Sequence, residues 1–198
     1  MLPDLLIHVR HGETDWNLAR RLQGSQNIPL NATGRQQAAR NGRELKRQFA
    51  LLGRSPEDLQ WVSSPMDRSR ETMEIIRREI GLVPDDYRVD PLLTEISFGR
   101  LEGYTYEEMA DVDPDGYHVL RTDKWHFLPP GGESYVMLTD RVRRSLASLG
   151  GDALIVSHGG VFRALLGLID GRADQDLAEM AVPQDQIFIV AEGRQRWA

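Results

Sequence analysis

The sequence predicts an α/β fold, a three-layer α/β/α sandwich around a mostly parallel central sheet. Two observations carry that expectation. Short apolar runs of strand length alternate with long stretches whose apolar residues recur at helical spacing, and such alternation lays strands side by side with helices on both faces. The chain has 198 residues, 40% hydrophobic and 27% charged, which is enough for one substantial core. We read it as a single domain, 1–198, with a flap or insertion at about 99–133.

The first apolar run, Leu5-Leu6-Ile7-His8-Val9, has the length of a buried strand and leads into Arg10-His11-Gly12-Glu13-Thr14. Thr33-Gly34-Arg35-Gln36 has the form of a capping box, and Ala38, Gly42, Leu45, Phe49 and Leu52 then mark a helix closed by Gly53. Leu59 to Val62 is a second strand. Ser64-Pro65 supplies an N-cap and a first-turn proline for a helix with Ser69, Met73, Ile76 and Ile80 on one face, ending at Gly81. Residues 99–133 break this rhythm: Tyr104, Tyr106, Tyr117, Trp125 and Phe127 stand among acidic residues before Pro129-Pro130-Gly131-Gly132. A partly helical flap over a binding site fits that composition. Tyr135, Leu138, Val142, Leu146 and Leu149 define a third helix up to Gly150-Gly151, Ala153 to Val156 a third strand, Gly159-Gly160-Val161 another helix start, and Ile187 to Ala191 a last strand.

A formal charge of −6 argues against a general nucleic-acid binder, yet a local arginine cluster can still attract a small anion. Without cysteine, disulfides and thiolate chemistry are excluded. The N-terminus lacks a signal pattern and no apolar run approaches membrane-spanning length, so a cytoplasmic location without membrane partner is the expectation. Oligomeric state is open, with a homodimer among the options.

Ligands of parallel sheets bind beyond the carboxyl ends of strands. Arg10-His11, Ser63-Ser64 and His158 all fall there. A neutral His11 imidazole can attack phosphorus, and nearby arginines disfavour its protonation. Arg10 and Arg68 present planar forks suited to phosphate oxygens, and the helix start at Gly159-Gly160 after His158 offers free N–H groups to an anion. Glu95, on the otherwise apolar Leu92-Leu93-Thr94-Glu95-Ile96, is placed to be partly desolvated, which raises a carboxyl pKa and suits a proton donor.

These segments resemble the histidine phosphatase superfamily, in the branch of the phosphoglycerate mutases and their phosphatase relatives, over nearly the whole chain. Arg10-His11-Gly12-Glu13-Thr14, followed by Asp15-Trp16-Asn17, resembles the signature of the phosphorylated histidine. Arg21-Leu22-Gln23-Gly24, Pro29-Leu30-Asn31-Ala32-Thr33-Gly34, Ser63-Ser64-Pro65-Met66-Asp67-Arg68, Glu95 through Phe98-Gly99-Arg100-Leu101-Glu102-Gly103, Gly131-Gly132-Glu133-Ser134 and Ser157-His158-Gly159-Gly160 resemble further family blocks in order. The resemblance implies a phosphoglycerate mutase-like fold and a small-molecule phosphomonoester as substrate. It makes His11 the phosphorylated nucleophile, Arg10, Arg68 and His158 the phosphate pocket, and Glu95 the acid and then the base. Thr14, Asn17, Gln23, Gly24 and Gly159 complete the substrate or phosphate contacts, with neither metal nor cofactor.

Departures are few: Asn27 where relatives often have Asp, Ser69 where Ala is common, and Gly160 where glycolytic mutases usually carry Asn. The last leans towards a phosphatase. The alternative is a mutase dependent on 2,3-bisphosphoglycerate, which needs more cations over the pocket. Between Tyr104 and Pro130 only Arg121 and Lys124 are basic apart from histidines, which favours the phosphatase. A non-catalytic phosphate-binding domain is the third option. His8 and His11 point to opposite faces of an extended segment and do not suit a shared metal, His118 and His126 read as exposed, and Arg70 and Arg100 as surface or ion-pair residues. Glu13, Glu102 and Glu133 divide evenly between a site role and bracing of loops.

Overall fold

The computed structural model describes residues 3–198, built on a six-stranded sheet. Its strands are β1 (Leu5–Arg10), β2 (Gln60–Ser63), β3 (Arg88–Val89), β4 (Ala153–Ser157), β5 (Ile187–Ala191) and β6 (Arg194–Trp197). The helices are α1 (Asp15–Leu18), α2 (Ala32–Leu52), α3 (Asp67–Ile80), α4 (Tyr106–Val112), α5 (Pro114–Thr122), α6 (Tyr135–Ala147), α7 (Gly159–Asp170) and α8 (Asp174–Glu179). Across the sheet the order is β3-β2-β4-β1-β5-β6; the first four strands are parallel, while β5 and β6 close the other edge as an antiparallel hairpin. The mixed α/β class and the mostly parallel sheet expected from the sequence are what the chain forms.

Strand alternation builds both interfaces. Leu5, Ile7 and Val9 of β1, with Trp61, Leu154 and Val156, face Leu45 and Phe49 of α2 and Met73 and Ile76 of α3. Leu6, Val62 and Ile155 point the other way, onto Leu138 and Val142 of α6 and Val161, Phe162 and Leu165 of α7. Residues 99–133 pack around a small cluster of their own, Leu101, Met109, Leu120 and Phe127 with Leu22.

Several boundaries differ from the sequence expectation. The cap of α2 is Asn31, whose side chain accepts the Gly34 N–H at 2.8 Å, so the helix begins before Thr33. Ser64 does not cap α3: that helix starts at Asp67, and the Ser64 hydroxyl is committed to His158. Helix α6 stops at Ala147, short of Gly150. Strands β3 and β6 escaped notice because each is short and carries charged, exposed positions rather than an apolar run. No described helix is long and apolar enough to cross a membrane.

Position follows from topology. β1 connects through α2 to β2, on one side of the β1–β4 pair, whereas β4 connects through α7 to β5 on the other. The crevice at this switch lies beyond the carboxyl ends of β1 and β4. Arg10 pairs with Ser157 there, and the His11 N–H donates to the Ser157 carbonyl at 2.9 Å, so both strands end level.

Candidate active site

The crevice opens into a cavity of about 290 Å³ whose lining includes Arg10, His11, Asn17, Gln23, Gly24, Arg68, Glu95 and Gly159. His11 is 2% exposed. Its Nδ1 lies 2.7 Å from the Gly12 carbonyl, which can only accept, so Nδ1 carries the hydrogen and Nε2 keeps its lone pair. Burial, then the charges of Arg68 and Arg10, push the His11 pKa well below the ordinary imidazole value. The ring of His158 stands edge-on at 5.1 Å between centroids, and its pKa is lowered for the same reasons, burial first. Ser64 Oγ lies 2.7 Å from His158 Nε2 while the same oxygen accepts the Met66 N–H at 3.4 Å. We assign the Ser64 hydroxyl as the donor to Nε2, the tautomer in which Nδ1 carries the hydrogen.

Two arginines flank the histidines. Arg10 gives Nη1 to the Val182 carbonyl at 2.6 Å. Arg68, fully buried at the start of α3, gives Nη1 to Gln26 O at 2.7 Å and Nη2 to Gly24 O at 3.1 Å. Burial lowers each guanidinium to about 10, still charged at neutral pH. Arg10 Nε, Arg68 Nε and His158 Nδ1 are buried without any hydrogen-bond partner. Orphaned buried donors are costly, and the two guanidinium Nε–H groups beside one cavity, with His158 Nδ1 close to His11, are suited to an anion.

Glu95 reaches the same cavity across the start of α7, where the Gly160 N–H donates to its carboxylate at 3.1 and 3.2 Å. A Cβ at position 160 would collide with that carboxylate, so glycine leaves the room Glu95 occupies. Arg141, on α6, clamps the Glu95 loop: its guanidinium donates to the carbonyls of Leu92 (2.7 Å), Thr94 (2.6 Å) and Glu95 (3.1 Å) and pairs with both oxygens of Glu133. Glu102 does the same for the opposite loop, accepting from Ser25, Gln26, Ser97 and Phe98, and so fixes the Gly24 and Gln26 carbonyls that hold Arg68. Glu13 accepts from Asn31. All three glutamates left undecided by the sequence brace loops.

Thr14 departs from the expectation. It is fully buried and does not line the cavity; as the N-cap of α1 it accepts the Asn17 N–H at 3.1 Å and gives its hydroxyl to Gln23 at 2.9 Å. Its role is to hold Asn17 and Gln23 in place. The Asn17 amide oxygen accepts from the Thr14 N–H (3.2 Å) and from Gln184 (3.1 Å), which holds the side chain at the cavity lining. His8 shares the 2.7 Å contact of its Nε2 with the Ser157 hydroxyl and packs on Phe162, while His118 and His126 are exposed.

Sequence reasoning missed one wall. Tyr106 and Lys124 from the 99–133 segment meet Tyr135 of α6 and Arg163 of α7, and Arg20 and Arg21 from the loop after α1 join them. Arg121 is not part of this lining. Counting cations only between Tyr104 and Pro130 therefore understated the positive charge around the cavity, so that count does not decide between phosphatase and mutase. Arg163 could have been found: it is a cation within the apolar start of a helix whose first turn faces the site.

The model of the histidine phosphatase superfamily (branch 1) matches residues 6–198. The chain is 32% identical over 200 residues to the "Uncharacterized phosphatase PhoE" of Bacillus subtilis, covering 96% of this chain and 89% of that protein. It is 35% identical over 168 residues to the "Probable phosphoglycerate mutase GpmB" of Salmonella paratyphi C, covering 82% and 73%. Among solved structures, a mycobacterial glucosyl-3-phosphoglycerate phosphatase superposes with a TM-score of 0.77 at 27% identity, covering 98% of this chain and 95% of that one.

Proposed function

The chain belongs to the histidine phosphatase superfamily, and from that membership we propose that it hydrolyses small-molecule phosphomonoesters, without a metal, through a phosphohistidine on His11. The observation that carries this reading is the fixed tautomer of His11: Nδ1–H is held by the Gly12 carbonyl, and a bare Nε2 is left on a ring that burial and the charges of Arg68 and Arg10 keep neutral. Nε2 attacks phosphorus in line, Arg10, Arg68 and the His158 N–H offset the charge on the equatorial oxygens, and Glu95 protonates the departing alkoxide. Glu95, now a carboxylate, takes a proton from water, which attacks the phosphohistidine and releases phosphate with His11 restored.

A bisphosphate-dependent phosphoglycerate mutase is the second reading, favoured by the additional cations Lys124 and Arg163 on the cavity wall. One experiment separates the two. Phosphate release from a panel of phosphomonoesters is measured in chelator, with wild type beside His11→Ala, and 3-phosphoglycerate is tested with and without 2,3-bisphosphoglycerate. Release by wild type only, with His11→Ala folded and silent, is expected. Isomerisation without release supports the mutase, and undiminished release by His11→Ala overturns the phosphohistidine route.

A further inference from the structure

Arg68 sits at the start of a helix that has no side-chain cap of its own. Met66 occupies the cap position of α3 and makes no capping bond, so the first-turn N–H groups need an acceptor from elsewhere. Asn27 supplies one. From a loop 40 residues upstream of Asp67, its Oδ1 accepts the Asp67 N–H at 3.0 Å, while its Nδ2 donates to the Asp67 carboxylate at 2.7 Å. The same loop holds the next residue of α3, because the Gln26 and Gly24 carbonyls accept from Nη1 and Nη2 of Arg68. Glu102 ties this loop to Ser97 and Phe98 but makes no bond to α3. An arginine held through its guanidinium alone can shift together with the loop that holds it. Tying the helix start to that loop as well sets the guanidinium and its backbone in one frame.

We propose that Asn27 is a positioning residue for the reaction: paired with Asp67, it fixes the start of α3 and, through it, the place of the Arg68 guanidinium at the phosphate site. This rests on the reading of the cavity base as a phosphate site and extends it to an exposed residue outside the cavity lining. The reciprocal bonds dictate the residue type. An ionised Asp67 only accepts, so its partner must offer an N–H, and a carboxamide offers one while still accepting the backbone N–H. An aspartate at position 27 keeps the acceptor and loses the donor. It would set two carboxylates at hydrogen-bond distance, where both cannot stay charged without repulsion. Asparagine at a position where relatives often carry aspartate is what Asp67 requires.

The test is a double-mutant cycle on the full chain. Asn27→Asp sets carboxylate against carboxylate, and Asn27→Asp with Asp67→Asn restores a donor and an acceptor with the direction reversed; Asp67→Asn completes the cycle. Inorganic phosphate binding is measured by calorimetry at pH 7.5, well below each unfolding midpoint, beside kcat/KM for an alkyl and an aryl phosphate. Asn27→Asp is expected to weaken phosphate by about threefold to tenfold, the range of one lost helix cap, and the double variant to recover most of that loss. kcat/KM should fall equally for both substrates, because Glu95 is untouched. A role in stability alone would lower the unfolding midpoint and leave phosphate affinity at the wild-type value, which overturns the proposal. A loss that the double variant does not recover, or a wild type that binds no phosphate, overturns it too. Binding is read without turnover, so the two inferences stay apart. The expected binding pattern in a protein that hydrolyses no phosphomonoester keeps the positioning role and removes the phosphatase. Hydrolysis with a phosphate affinity indifferent to Asn27→Asp does the reverse.

Discussion

His11 shows how much chemistry one carbonyl can decide. The Gly12 oxygen holds the hydrogen on Nδ1, and burial beside Arg68 and Arg10 keeps the ring neutral, so the nucleophile needs no separate base to expose its lone pair. Glu95 is held differently, by the Gly160 N–H on one side and the Arg141 clamp on its backbone. Replacing it with Gln retains that geometry and removes the proton. We expect kcat for alkyl phosphates to fall by about 10²- to 10⁴-fold. An aryl phosphate, whose leaving group needs little help, should lose much less; equal losses for both would rule out the acid role. At this scale the residue types were readable in the sequence, because His, Arg and Glu at strand and helix ends have few other reasons to be there. Thr14 was misjudged since a hydroxyl serves a cap as readily as a ligand, and only its burial tells which.

Between elements, the site is kept in shape by loops tied to helices. Arg141 joins α6 to the Glu95 loop through three carbonyls and the Glu133 carboxylate, with both side chains mostly buried. Removing the cation strands these acceptors, and a broken buried pair typically costs about 3–5 kcal/mol. Arg141→Met should therefore lower the urea midpoint strongly with little change in m, and adding Glu133→Gln should restore part of the loss. A shift of the midpoint no larger than that of an exposed arginine would show that the clamp holds nothing. None of this was legible beforehand. Arg141 lies on a helix whose apolar stripe was the visible signal, and a carbonyl acceptor carries no mark in a sequence.

For the whole molecule, neutral histidines in the interior set a pH limit. His8, lowered to about 3 by burial and then Arg10, joins His11 and His158 in remaining neutral in the native state while each takes up a proton near 6.5 when unfolded. Because their folded pKa values lie below the unfolded ones, stability is full above about pH 7 and drains away as pH falls. Three such groups remove about 3–4 kcal/mol between pH 7 and 5.5. His126, raised by its hydrogen bond to Asp123, acts in the opposite sense, but it is exposed and screened. Thermal unfolding at low ionic strength in a phosphate-free buffer should show a midpoint that drops steadily over this range. A midpoint that is flat from pH 7 to 5.5 would mean that the interior accepts those protons.

The sequence by itself determined the fold class and the strands at the centre of the sheet, and it singled out Arg10, His11, Arg68 and Glu95, which line one cavity, and His158, which packs on His11, since apolar periodicity and the residue types at strand ends are local properties of the chain. It did not reveal β3 or β6, whose pairing comes from neighbours rather than from their own composition. Nor did it reveal the second wall. Lys124 and Arg163 lie far apart along the chain, and their joint effect on one cavity exists only once α7 and the 99–133 segment are packed over the β1–β4 crevice. Electrostatic energy depends on distance in space and on burial, and both are decided by the tertiary structure.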